Sequence, residues 1–170
     1  IGAGTMGGDI AAVAAMSGFE VTLQDISVDA VDRAIERART LYERRLKAPQ
    51  KVEAAMARLR ADAGGEGLAS ADLLIEAVAE DLAIKKAVFA DAESKMMPGA
   101  IMATNTSAIP LEDIGAVLND PARLIGMHFF NPVPVLPLVE VVYTDASDGS
   151  FVDRAMYVCG ALKKLSLIHI

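Results

Sequence analysis

The chain has 170 residues, 53% of them hydrophobic, and a formal net charge of −7. That length suits one domain with a sizeable core, and that apolar content excludes a disordered chain. The acidic balance argues against a nucleic-acid partner, and no apolar run is long enough to span a bilayer. The opening Ile1-Gly-Ala-Gly-Thr-Met-Gly7 runs into a helical stretch, Thr5 to Ser17, and Phe19 to Asp25 reads as a strand. Val28 to Lys47 is a long charged helix. Pro49 interrupts it, and Gln50 to Arg60 reads as a second helical piece. After the turn Ala63-Gly-Gly-Glu-Gly67, Ala71 to Val78 is a strand and Leu82 to Met96 a helix. Pro98-Gly99 turns the chain into the strand Ala100 to Thr104, and Pro110 begins a short helix. Arg123 to His128 and Leu136 to Tyr143 are strands, and Phe151 to Lys163 is the last helix. Strands alternating with helices predict an α/β fold, a doubly wound and mostly parallel sheet with right-handed crossovers. The last two strands have no helix between them, so the far edge is expected to be mixed.

Gly2, Gly4 and Gly7 match G-x-G-x-x-G. The first glycine allows a tight turn, the second lets backbone approach a pyrophosphate, and the third lets helix and strand pack closely. The turn Gly2, Gly4, Thr5, Met6 and Gly7 then offers free amides at a helix N-terminus to phosphates. In a chain with 13 glycines the motif alone is weak, and its context strengthens it. Asp25 ends the next strand about 20 residues on, where an acid accepts both ribose hydroxyls of an adenosine. An acid there repels a 2′-phosphate, which favours NAD over NADP. The plainer reading of Asp25 is a helix cap, a role that Ser27 or Asp29 would fill equally well. Together the features predict a Rossmann-type dinucleotide site.

The run Gly126-Met-His-Phe-Phe-Asn-Pro-Val-Pro-Val-Leu-Pro-Leu-Val-Glu140 holds the only histidine outside the last two residues. His128 stands where a strand leaves the core, and Asn131-Pro132 breaks the run. Glu140 lies in the second apolar run, where an acid is costly unless paired. A carboxylate that holds one imidazole nitrogen leaves the other free to take a proton. The plain alternatives are a structural histidine and a solvated acid. Further polar groups follow the strands on the same rim: Glu80 and Lys85, the run Thr104-Asn-Thr-Ser107, and Asn131. Glu80 also suits a helix start, Lys85 a solvated surface, and the Thr104–Ser107 run a helix cap. Arg37 to Lys51 is locally basic, mostly a solvated helix face, with a few cations able to attract a polyanion such as a coenzyme A phosphate. The sole Cys159 gives no disulfide framework and fits a small core residue in a reducing compartment. No metal site is expected.

Gly2-Ala-Gly-Thr-Met-Gly7, Ile75-Glu-Ala-Val-Ala-Glu80, Thr104-Asn-Thr-Ser107, His128-Phe-Phe-Asn-Pro132 and Leu138-Val-Glu140 together resemble the NAD-binding domain of L-3-hydroxyacyl-CoA dehydrogenases, from Ile1 to about Leu165. Arg45-Leu-Lys through Met56-Ala-Arg-Leu, with Leu138-Val-Glu-Val-Val142, looks more like the multifunctional enzymes of fatty-acid β-oxidation, in which an enoyl-CoA hydratase domain comes first. The resemblance implies His128 as catalytic base and Glu140 as its orienting carboxylate. It implies Ser107 and Asn131 near the substrate hydroxyl, the thioester and the nicotinamide. Asp25 corresponds to the ribose-binding acid, and Glu80, Lys85 and Asn105 to cofactor contacts. Coenzyme A contacts fall on the helix after Asp25, where Arg44, Arg45 and Lys47 mark the neighbourhood. Ala108 departs from the second serine of many relatives, with little effect expected.

The resemblance further implies NAD as cofactor, an acyl-CoA substrate, a bacterial cytoplasmic setting, and a homo-oligomer or β-oxidation complex at full length. Residues 1–165 are expected to form the NAD-binding domain, with a truncated first strand and with the family's C-terminal helical domain absent. Residues 166–170 are expected to be a foreign tail, with no weight given to His169. The isolated chain is expected to be inactive. Two alternatives stay open: another hydroxyacid dehydrogenase on this fold, or a non-catalytic NAD-binding protein, crystallin-like or a sensor.

Overall fold

Seven strands and six helices alternate along residues 1–169, the residues that the computed structural model describes. Helix α1 (Thr5–Met16) is followed by β1 (Val21–Leu23), α2 (Val28–Leu46), α3 (Pro49–Arg58) and β2 (Leu59–Ala61). Then come β3 (Leu73–Glu76), α4 (Leu82–Lys95), β4 (Ile101–Thr104), α5 (Leu111–Gly115), β5 (Leu124–Phe129), β6 (Leu138–Val142), α6 (Gly149–Ala161) and β7 (Leu165–His169). The α2 boundaries have local causes. Ser27 caps the first turn by accepting from the Ala30 amide, Asp29 follows it, and Arg44 and Arg45 close the last turn. Val31, Ala34, Ala38, Leu41 and Tyr42 recur at three- and four-residue spacing and are buried, so this face docks on α1.

Strands β3, β4 and β5 pair in parallel, β5 and β6 antiparallel, and β6 and β7 in parallel. The expected mixed far edge is therefore present. All four residues of β4 are buried, as a central strand covered on both faces requires. The remaining pair, β1 and β2, is parallel and forms a separate ribbon. Between β1 and β3 lies a cleft of about 380 Å³, lined by Phe19, Val21, Leu23, Leu73 and Ile75 among others. Residues Ile1 and Gly2 bridge its lower end. The Ile1 amine donates to the Ile75 carbonyl, the Ala77 amide donates to the Ile1 carbonyl, and the Gly2 amide donates to the Gln24 carbonyl.

Two expectations change. The helical piece read as Gln50 to Arg60 ends at Arg58, and Leu59-Arg60-Ala61 is a strand paired with Val21, Thr22 and Leu23. Nothing local marks those residues as a strand; the open edge of β1 decides, and tertiary pairing overrides helix propensity. Several strands are also shorter than read, β1, β3 and β6 losing residues at both ends, and α6 begins at Gly149 because Asp148 caps it through the Ser150 amide. Strand β7 runs through most of the segment expected to be a foreign tail, its Leu165–His169 run in register with Leu138–Val142. Ile170 and the His169 side chain lie outside the described residues.

Candidate active site

The carboxyl ends of β3, β4 and β5 lie side by side, and the glycine turn joins them through the first two residues of the chain. The Ala77 amide, just past β3, bonds to Ile1; the Asn105 amide, just past β4, bonds to the Glu76 carbonyl; and Asn105 Oδ1 accepts from the Phe129 amide at the end of β5, 2.9 Å away. Each strand end is thus tied to the next. This rim is where an open α/β sheet binds its ligands.

At the glycine turn, Gly2 has φ 97° and packs so closely on the Ala77 carbonyl that a Cβ there would meet backbone. A Cβ on Gly7 would collide with the Gly2 carbonyl. Gly4 and Thr5 are exposed, Met6 is half-buried, and no side chain caps α1, so the first amides of the helix stay available to an anion. Asp25 lies beside them. Its carboxylate accepts from the Ala3 amide at 2.6 Å and from the Ser27 amide at 2.9 Å. The helix-cap reading of Asp25 therefore goes to Ser27 instead, and Asp25 braces the turn while staying half-buried. These residues fit a dinucleotide: a cradle that only glycine permits, unclaimed helix amides, and an acid at the next strand end.

His128 and Glu140 are register partners across the antiparallel pair β5–β6. Side chains directly opposite in such a pair reach each other, and His128 Nδ1 lies 2.9 Å from Glu140 Oε2. The two are 20% and 28% exposed, sheltered yet reachable by a substrate. The ring of Phe130 lies 4.5 Å from the imidazole, tilted against it, and so limits its rotation. With Nδ1 held by the carboxylate, Nε2 is the nitrogen left to exchange a proton. A cavity of about 430 Å³ opens here, lined by His128, Glu140, Ser107, Thr106, Gly126 and Tyr143 among others. Ser107 is exposed on its wall. Asn131 is exposed beyond β5, next to the cis Asn131–Pro132 peptide.

Of the other sequence candidates, Lys85 departs most from its plain reading. Lys85 is fully buried, its ammonium 2.7 Å from Glu76 and 3.4 Å from Glu80, so it faces two carboxylates rather than solvent. Glu80 is exposed and accepts from the Thr106 hydroxyl. Asn105 spends its carbonyl oxygen on Phe129. Arg44, Arg45 and Lys47 are exposed near the end of α2, and Arg45 donates to the Pro134 carbonyl at 3.1 Å. That bond brings the end of α2 to the loop carrying Asn131. Sequence reading gave Glu76 no role, and it took Thr104 and Thr106 only as members of a rim run or a helix cap. Glu76 had a signal: it is an acid ending the apolar strand Leu73-Leu-Ile-Glu76, the same argument that singled out Glu140.

Elsewhere, Cys159 is buried, and burial pushes its thiol up to about 11, so it stays protonated and inert. No group of His, Cys, Asp and Glu able to hold a metal ion occurs among the described residues. Among them, too, no helix is long and apolar enough to cross a membrane.

A family model described as "3-hydroxyacyl-CoA dehydrogenase, NAD binding domain" matches residues 1–168. The chain is 42% identical to the 3-hydroxyadipyl-CoA dehydrogenase of Escherichia coli K12, over 91% of this chain and 33% of that protein. It is 34% identical to the fatty acid oxidation complex subunit alpha of Acinetobacter baylyi, over 99% of this chain and 24% of that protein. The crystal structure of 3-hydroxybutyryl-CoA dehydrogenase from Escherichia coli K12 superposes with a TM-score of 0.94 at 38% identity, covering 98% of this chain and 36% of that one. The chain thus spans between a quarter and about a third of the length of these relatives. A glycine cradle with an acid at the next strand end, a histidine–carboxylate pair on the same rim, and a match over almost every residue converge: the chain belongs to the 3-hydroxyacyl-CoA dehydrogenase family, of which it is the NAD-binding domain.

Proposed function

We propose that this domain serves the oxidation of an L-3-hydroxyacyl-CoA to the 3-ketoacyl-CoA in fatty-acid β-oxidation, with His128 as the base. The observation that carries the reading is the His128–Glu140 pair, 2.9 Å apart, on the rim that also holds the glycine turn. NAD, when bound, supplies the hydride acceptor. The turn of Gly2, Gly4, Thr5, Met6 and Gly7 would hold its pyrophosphate, and Asp25 its ribose. His128 Nε2 takes the proton of the C3 hydroxyl, and Glu140 stabilises the imidazolium through Nδ1. Ser107 and Asn131, both exposed, orient the hydroxyl and the thioester. Arg44, Arg45 and Lys47 present cations to the coenzyme A phosphates. The relatives' names point to acyl-CoA substrates from a four-carbon hydroxyacyl group to a dicarboxylic one, and the subunit named for a fatty acid oxidation complex points to an assembly at full length. The reducing bacterial cytoplasm is the setting that suits a buried free thiol.

The test is His128→Ala in a polypeptide of the relatives' full length. NADH formation from 3-hydroxybutyryl-CoA should fall by at least the ~10²–10⁴-fold worth of a general base, while NADH affinity stays unchanged. Near-normal turnover would overturn the assignment. The 170-residue chain alone should bind NADH and turn over little substrate, because the relatives devote between about half and three quarters of their length to regions outside it.

A further inference from the structure

Beneath the rim lies a chain of polar contacts that the reaction itself does not use. Glu76 is completely buried at the end of β3, and its carboxylate takes three donors: the Val78 amide, Lys85 Nζ and the Thr104 hydroxyl, each at 2.7 Å. Lys85, equally buried on α4, reaches past Glu76 to Glu80 at 3.4 Å. Glu80 in turn accepts from the Thr106 hydroxyl. The Thr106 oxygen accepts from the Ala108 and Ile109 amides, each at 3.2 Å, and the Thr104 oxygen accepts from the Thr106 amide at 3.3 Å. The turn from Thr104 to Ile109 is thus held from below by one buried acid, directly through Thr104 and indirectly through Lys85 and Glu80. That turn carries Ser107 on the wall of the His128 cavity, and its Asn105 clamps the Phe129 amide next to His128.

We infer that Glu76 and Lys85 are positioning residues: the buried pair anchors Glu80, and Glu80 fixes the turn that places Ser107 and Asn105 against the histidine strand. A fully buried charge pair is a costly way to stabilise a sheet, since an apolar pair of similar volume often serves as well or better. Its use here is geometric. Lys85 bridges two carboxylates with one ammonium: Glu76 meets the turn at its first residue, Thr104, and Glu80 meets it further on, at Thr106. The importance of the turn for catalysis rests on the reading of His128 as the base; the anchoring does not.

Amide hydrogen exchange on the free 170-residue chain tests the anchoring without cofactor or substrate. Glu80→Ala, at an exposed position that folding tolerates, should speed exchange at Thr106, Ala108 and Ile109 at least tenfold, with Met102 and Ala103 of β4 unchanged. Glu76→Gln should do the same and also lower the Tm. The double variant Glu76→Gln/Lys85→Met removes both buried charges. It should recover the Tm yet leave the turn exchanging fast, because methionine cannot hold Glu80. NADH affinity, read by fluorescence, should weaken about tenfold in each variant. Unchanged turn exchange in Glu80→Ala would overturn the inference, as would a double variant that restores both Tm and turn protection. Weaker NADH binding with a fully protected turn would overturn it too, since Glu80 would then act on the cofactor directly. Loosened turns in a full-length enzyme whose His128→Ala variant still turns over would leave the anchoring intact and remove only the catalytic reading.

Discussion

At the scale of single residues, the site depends on which atom of an ionisable group is already engaged. Glu140 reaches His128 because antiparallel register sets the two directly opposite, and the carboxylate takes Nδ1. An amide at position 140 can still accept from Nδ1–H, so orientation survives while the charge is lost. Glu140→Gln should therefore lower turnover about tenfold, the ~1.4 kcal/mol by which a charge-assisted hydrogen bond exceeds a neutral one, and so cost less than His128→Ala. Steady-state kinetics on the two variants compares them; an equal or larger loss for Glu140→Gln would assign the carboxylate another role. Asp25 shows the same economy, bracing the glycine turn through Ala3 and leaving the helix cap to Ser27.

At the scale of elements, the glycine turn separates folding from binding. Gly7 sits where α1 begins against the Gly2 carbonyl, and a methyl group has no room. Gly7→Ala should destabilise the chain by about 1–3 kcal/mol, the usual cost of overpacking, visible as a lower urea midpoint. Gly4 is exposed, and a Cβ there meets nothing within 4 Å. Gly4→Ala should leave the midpoint in place but weaken NADH binding, because the methyl group would stand where backbone approaches the pyrophosphate. Equal urea midpoints for the two variants would contradict this division. The helices and strands flanking the turn were largely legible in the sequence. Helix α2 carried its cap, its buried stripe and its terminal arginines in plain view. Strand β2 did not, because three residues without a β-branched side chain become a strand only through the neighbour they pair with.

At the scale of the whole molecule, the sheet falls into a two-stranded ribbon and a five-stranded body, joined at Ile1 and Gly2. In a polypeptide that begins at Ile1, the amine lies within this junction, and burial lowers it from 8.0 to about 6, with Glu76 and Asp25 opposing the shift. Between those values the unfolded chain holds the proton and the folded chain sheds it. Stability is then complete above about pH 8 and declines as the pH falls toward 6, by roughly 2–3 kcal/mol for two pKa units. Urea midpoints at pH 6 and pH 8 should show this step. Acetylating the amine, or lengthening the chain before Ile1 with apolar residues, should abolish it; a step that survives acetylation would belong to another group.

The sequence by itself determined the fold class, the glycine turn, the acid at the next strand end and the pairing of a histidine with one particular acid. Each of these is written in short-range signals: glycine spacing, hydrophobic period, and a polar residue in an apolar run. Tertiary structure alone decided that Leu59–Ala61 is a strand, that Lys85 is buried between two carboxylates, and that Glu76 anchors the turn beside the site. Those outcomes depend on which strand edges and charges meet across distances of 5 to 38 residues, where local pattern does not name the partner.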